Sequence, residues 1–241
     1  MKSTTRFGSR AGAYAAFRPA YPAGAIDAAL ADLGDASLLT IADVGAGTGI
    51  SARLLADRGA RVIAIEPNLQ MRTAAEQHPR VEWCDGTAER TGLQDESVDV
   101  VVVCQAFHWF ATLAVMREFR RIARHRAVLL QYERDERDPF TRAYGDVVRA
   151  YATDDTEALR QRGLATFADF PDARMTRAAF PSQQRLDRES LVGRAASSSY
   201  LPLAGAPGAS LRADLLDLFE RYERRGHVRL KMVTVALVAD W

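Results

Sequence analysis

Apolar positions along the chain come in short blocks that alternate between continuous runs and helical spacing. Leu38 to Val44 is a mostly apolar run and predicts a buried strand. Thr48 to Arg58 then sets Ile50, Leu54 and Leu55 one helical turn apart, with Gly59 placed as a C-cap. Arg61 to Glu66 predicts a second strand, and Pro67 opens a helix over Asn68 to His78. Val81 to Cys84 predicts a third strand. Ser97-Val-Asp99 leads into Val100 to Cys104, β-branched and apolar on both faces, as a central parallel strand should be. Ala111 to His125 predicts a helix that turns Val115, Phe119 and Ile122 inward, and Ala127 to Tyr132 a fifth strand. Strands alternating with helices in this way predict a parallel sheet covered on both faces.

The flanks break that rhythm. Arg18-Pro-Ala-Tyr-Pro22 cannot lie inside a helix, whereas Ala23 to Leu33 predicts one with Ile26, Leu30 and Leu33 on a face. The charge run Glu133 to Asp138 reads as a solvated turn, and Phe140 to Arg162 as helices inserted outside the alternation. Met175 to Leu186 is weakly strand-like, and Glu189 to Tyr200 predicts a short helix. A Gly/Pro/Ala loop over 204–209 precedes an amphipathic helix carrying Leu211, Leu215, Leu218 and Tyr222, and His227 to Val238 predicts the last strand.

Composition narrows the function classes. A net charge of +1 on 241 residues gives no field that would argue for nucleic acid or an anionic membrane. Arg221, Arg224 and Arg225 alternate with Glu220 and Glu223, as on a solvated face. Met1 to Thr5 is polar and no apolar segment follows, so cytoplasm is the expected compartment. The two cysteines, Cys84 and Cys104, form no CxxC pair and predict buried thiols, with no metal site.

The candidate chemistry sits where the first strand stops. Asp43-Val-Gly45-Ala-Gly47-Thr-Gly49 turns the chain sharply into a helix whose N–H groups face a ligand. A nicotinamide site would want G-x-G-x-x-G, but Ile50 stands where that third glycine belongs. Glu66 ends the second strand, where a carboxylate accepts hydrogen bonds from both hydroxyls of a ribose. An adenosine fits better than a pyrophosphate, and no P-loop is present.

These residues resemble the class I S-adenosylmethionine-dependent methyltransferases. The glycine stretch with Asp43 is similar to that family's first motif, and Glu66 with Pro67 to its acidic ribose site. Gly86-Thr87-Ala88-Glu89 resembles its adenine loop, although Thr87 stands where the family often carries Asp or Asn. Gln105-Ala-Phe-His108-Trp109-Phe after the fourth strand is similar to the type-11, trans-aconitate methyltransferase-like subgroup. So are Tyr14-x-x-x-Arg18-Pro-x-Tyr21-Pro and the segment from Gly193-Arg194 to Ser199-Tyr200.

The resemblance implies a seven-stranded Rossmann-like α/β sheet of order 3-2-1-4-5-7-6 with the last strand antiparallel. It implies a single domain with an N-terminal arm (1–36), a cofactor core (37–137), an inserted helical cap (138–172) and a C-terminal part completing sheet and pocket (173–241). Cys84 and Cys104 would then end strands about 14 Å apart, too far for a disulfide. Tyr14, Arg18, Asp43, Gly45, Gly47, Gly49, Glu66, Pro67, Thr87, Ala88 and Gln105 are expected to hold S-adenosylmethionine. Tyr21, His108, Trp109, Ser199 and Tyr200 are expected around a small-molecule acceptor, with His108 the candidate proton acceptor.

Of the four histidines, His108 alone follows a central strand; His78 and His125 fall at predicted helix ends and His227 opens a strand. Cys-Gln-Ala-Phe in place of Asn-Pro-Pro-Tyr argues against transfer to an amide or base nitrogen. The expected state is a monomer or homodimer without nucleic-acid or membrane partners. Two other readings stay open: a protein that binds the donor or its product S-adenosylhomocysteine without transfer, and an RNA or protein methyltransferase.

Overall fold

A computed structural model describes residues 11–241. Five parallel strands form most of the sheet: β1 (Thr40–Val44), β2 (Arg61–Ile65), β3 (Val81–Cys84), β4 (Val98–Cys104) and β5 (Ala123–Arg134). With β6 (Arg174–Leu186) and β7 (Val228–Asp240) the order is β3-β2-β1-β4-β5-β7-β6. β7 runs antiparallel to both β5 and β6 and lies between them. The order and the reversed last strand are those the resemblance implied.

β4 is buried along its whole length, and its side chains divide between two cores. Val100 and Val102 face Ile26 of α2 (Ala23–Leu30) and Leu55 of α3 (Ile50–Ala56). Val101 and Val103 face Val115, Phe119 and Ile122 of α5 (Leu113–Ile122). That two-residue alternation is the physical content of a continuous valine run in a sheet covered on both sides. A third core joins α6 (Pro139–Tyr151), α8 (Arg188–Ala196) and α9 (Gly205–Tyr222) to the far ends of β6 and β7.

Several boundaries differ from the sequence expectation. The helix expected over Asn68 to His78 is only α4 (Leu69–Thr73), because Pro79 disfavours helical backbone at the residue before it. His125 is a strand residue, since β5 starts at Ala123 directly after α5 and pairs it with Val98. The expected loop over 204–209 is largely the first turn of α9, where Pro207 needs no N–H partner. Glu133 and Arg134 of the charge run complete β5, and Asp138 caps α6. Cys84 is half-buried rather than buried, Cys104 is buried, and both are free thiols. Among the described residues no helix is long and apolar enough to cross a membrane, and no His/Cys/Asp/Glu group suits a metal.

Between β5 and β6 the chain forms α6 and α7 (Thr156–Ala168). Gly163 of α7 lies so close to the 3-10 turn Phe107–Trp109 that a Cβ would come within 3.1 Å of the His108 Cα. Asp138 fixes the start of this excursion: one oxygen accepts from the Thr141 N–H and hydroxyl at 3.0 Å each, and the other meets Lys231 Nζ of β7 at 3.0 Å. Asp138→Ala is expected to lower stability by about 1–2 kcal/mol, the cost of a lost N-cap. Urea denaturation checks this, the midpoint falling at constant slope.

Candidate active site

The carboxyl ends of β1, β2 and β4 surround a crevice of about 160 Å³, where open α/β sheets bind ligands. Its floor is the turn after β1. Gly45 has φ +72°, and a Cβ there would stand 2.7 Å from that of Ala106, so no other residue fits. The Gly45 and Ala46 N–H groups donate to the Ile65 carbonyl at 2.8 and 3.2 Å, which ties the turn to β2.

Glu66 closes the opposite side. One carboxylate oxygen accepts from the Gly47 N–H at 3.0 Å and the other from the Asn68 N–H at 2.9 Å. Burial raises its pKa, against the lowering effect of those two N–H donors. The far wall is the segment after β4. Gln105 has φ +57°, uncommon for a residue other than glycine, and such strain concentrates at functional sites. Its backbone N–H donates to the Leu130 carbonyl at 3.0 Å and its side-chain nitrogen to the Tyr132 carbonyl at 3.3 Å. Its side-chain oxygen is buried without a partner, a group that costs free energy until a donor reaches it.

Eight of the expected residues share the crevice: Gly45, Gly47, Glu66, Pro67, Thr87, Ala88, Gln105 and Trp109. Trp109 was expected on the acceptor side and lies on both sides of the division, because it also lines a narrow passage beyond Gln105. That passage brings together Arg18, His108, Ser199 and Tyr200. Tyr21 is instead buried beside Tyr132, ring centroids 6.1 Å apart, in a small pocket behind Gly45 and Cys104. Tyr14 carries a side chain outside the described residues.

Three expected donor contacts are not on the crevice wall: Arg18 lines the passage instead, and Asp43 and Gly49 face the protein's own interior. Asp43 is fully buried behind the turn and accepts from the Ser51 hydroxyl of α3 at 2.7 Å. Gly49 has φ +76°, and a Cβ there would come 2.9 Å from the Trp83 ring. Its close approach is to the protein's own β3.

Residues the sequence did not single out include Asn68, which caps α4 by accepting from the Met71 N–H at 3.0 Å, and Met71 itself, both on the crevice wall. An Asn before a helical run was the available signal. Arg160 and Thr156 of α7 line the passage, and no local pattern marked them. Tyr132 accepts a hydrogen bond from Arg18 at 2.9 Å, with the Arg194 guanidinium 5.8 Å from its ring centre. Burial alone would hold the Tyr132 hydroxyl neutral, but Arg18, Arg194 and Arg160 outweigh it and bring its pKa down to about 8. Cys104 is no nucleophile at neutral pH: burial, with the Asp43 charge nearby, pushes its thiol well up.

Burial lifts Asp43 from 3.8 to about 7, with Ser51 opposing and Glu66 adding to the rise. Between about pH 4 and 7 the folded chain therefore holds a proton that the unfolded chain has released, so stability falls as pH rises through that window. Asp43→Asn should flatten this slope. Urea midpoints at pH 5 and pH 8 test it, and an unchanged slope would place the titration elsewhere.

A family model described as a methyltransferase domain matches residues 42–130, from within β1 through the first two thirds of β5. An uncharacterized methyltransferase of Mycobacterium tuberculosis is 38% identical over 145 residues, 59% of this chain and 58% of that protein. The chain thus matches little more than half the length of that relative. A methyltransferase-like protein of Schizosaccharomyces pombe is 28% identical over 192 residues, covering 78% of this chain and 75% of its own. Among solved structures, one from Anaeromyxobacter dehalogenans, described as a type II methyltransferase candidate, superposes with a TM-score of 0.65 at 23% identity, covering 93% of this chain and 97% of that one. Another, from Anabaena variabilis and described as a methyltransferase candidate of an antibiotic biosynthesis pathway, gives a TM-score of 0.58 at 26% identity over 82% of this chain and 90% of that one. The first of these likenesses shows the fold. Residues 42–130, which carry the crevice at their strand ends, are thus the part of the chain that is similar to a methyltransferase domain.

Proposed function

We propose that the chain binds S-adenosylmethionine in this crevice and passes its methyl group to a small-molecule acceptor. The observation that carries this reading is the Glu66 carboxylate, held opposite the glycine turn by one backbone N–H on each oxygen. Each oxygen keeps acceptor capacity for a sugar hydroxyl. The partnerless Gln105 oxygen fits too, since it offers an acceptor on the same wall. Thr87 and Ala88 supply the loop beside which an adenine would lie, and Met71 and Phe110 its apolar lining.

When bound, the donor supplies a methyl group on a sulfonium: the sulfur–methyl bond breaks as the acceptor–methyl bond forms, and S-adenosylhomocysteine leaves neutral. The chain's own task is alignment and exclusion of water. Alignment is worth ~7–11 kcal/mol, more than the ~3–5 kcal/mol of a general base. His108, 6% exposed and stacked near Trp109 with ring centroids 4.6 Å apart, is suited to orient an acceptor or take its proton. Arg18, Ser199 and Tyr200 would meet the acceptor beside it. In this reading residues 138–172 form an inserted helical cap, and the N-terminal segment reaches the site through Arg18. The likeness of the Arg18, His108 and Tyr200 segments to the trans-aconitate methyltransferase-like subgroup supports the same division.

Glu66→Ala is expected to weaken S-adenosylhomocysteine binding roughly 10- to 150-fold, the loss of hydrogen bonds to a charged group. His108→Ala should weaken it by no more than about threefold. Calorimetry giving the reverse order would overturn the division of roles. Turnover of a labelled methyl donor over a panel of phenols, amines and carboxylic acids tests the transfer itself.

A further inference from the structure

The acceptor side holds more positive charge than the protein neutralises. Beside the passage beyond Gln105 lies a chamber of about 650 Å³, with Thr156, Arg160 and Tyr200 on the walls of both. Five arginines bear on this region, and they differ: Arg18 donates to the Tyr132 hydroxyl at 2.9 Å and to the Ser197 carbonyl at 3.1 Å. Arg134 is paired with Glu136 at 3.0 Å and Glu157 at 3.1 Å, and Arg149 with Glu136 and Asp146 at 2.7 Å each. Arg160 and Arg194 make no ion pair with any described carboxylate, and each keeps a buried Nε without a hydrogen-bond partner. Arg194 is 7% exposed. A buried cation left this way is costly, and the cost is offset when an anion arrives.

Both hydroxyls between them feel the field. Burial raises the Tyr200 pKa, but Arg160, Arg18, Arg194 and Arg134 together bring it below the ordinary value. The acidic groups lie elsewhere. Asp154, Asp155 and Glu157 face the outer chamber, where Asp155 caps α7 and Glu157 is paired. Among the described residues no Asp or Glu lines the passage itself.

We propose that the acceptor carries an oxyanion, a carboxylate or a phosphate, which the Arg160 guanidinium receives at the mouth of the passage beside Tyr200 and Thr156, with Arg194 behind. A planar guanidinium suits either head group, because both present two oxygens to its fork. The proposal rests on the methyl-transfer reading for which molecule enters, but not for the charge that is recognised.

Calorimetry on the full chain saturated with S-adenosylhomocysteine tests this with three probes that share a phenyl ring: benzoate, phenyl phosphate and benzamide. At least one anion should bind about tenfold or more tighter than benzamide, and the tighter of the two names the head group. Arg160→Gln should abolish that preference and Arg160→Lys retain part of it, with S-adenosylhomocysteine affinity unchanged in both. Equal binding of anions and amide, no binding of any probe, or a preference that survives Arg160→Gln would overturn the proposal. If the anion preference appears while S-adenosylhomocysteine fails to bind, the oxyanion site stands and the methyl-transfer reading falls.

Discussion

The Glu66 carboxylate is the point on which the loop, the sheet and the chemistry all bear. Parallel pairing sets Val44 of β1 against Ile65 of β2, so the next residues on each strand, Gly45 and Glu66, leave the sheet side by side. From there the carboxylate reaches across to the Gly47 N–H and back to the Asn68 N–H. Burying a carboxylate is unfavourable unless its oxygens are satisfied, and two charge-assisted bonds at ~1.5–3 kcal/mol each meet that need. The same bonds pin a glycine turn that would otherwise have wide conformational freedom. This side of the crevice is therefore held in one shape by the chain's own bonds.

Behind that clamp the fold supplies rigidity in layers. Asp43 and Ser51 join the strand before the turn to the helix after it. Trp83 of β3 packs where a side chain on residue 49 would stand, so the turn is held from the sheet edge as well. On the far wall the strained Gln105 is kept in place by two bonds to the β5 backbone. Arg18 reaches from the N-terminal segment to Tyr132 of β5 and the Ser197 carbonyl after α8, closing the passage from the other side. Crevice, passage and outer chamber are thus walled by residues distant in sequence but fixed to the same strand ends.

The sheet was legible because burial on both faces writes itself directly into composition. Val98 to Cys104 admits hardly any other reading, and the strand–helix alternation follows it. Element ends were less legible, since they depend on local competition: Pro79 shortens α4, and the pairing of Ala123 with Val98 takes His125 out of a helix. Within the site, Gly45, Gly47 and Glu66 were visible because a sharp turn and an acidic strand end have local signatures. Gly49 and Asp43 looked identical to ligand contacts in sequence, yet one makes room for Trp83 and the other accepts a hydrogen bond from Ser51. Only the tertiary neighbour separates those roles. Arg160 was invisible for a related reason: on a helix outside the alternation, an arginine reads as a solvated cation until the passage beside it is known.

A crystal structure of the chain with S-adenosylhomocysteine tests the central claim most directly. The account predicts the nucleoside along the carboxyl edge of β1, β2 and β4, its ribose hydroxyls on Glu66, its adenine beside Thr87 and Ala88, and its sulfur toward Gln105 and the passage. A ligand bound elsewhere, or a crevice left empty at saturating concentration, would contradict it.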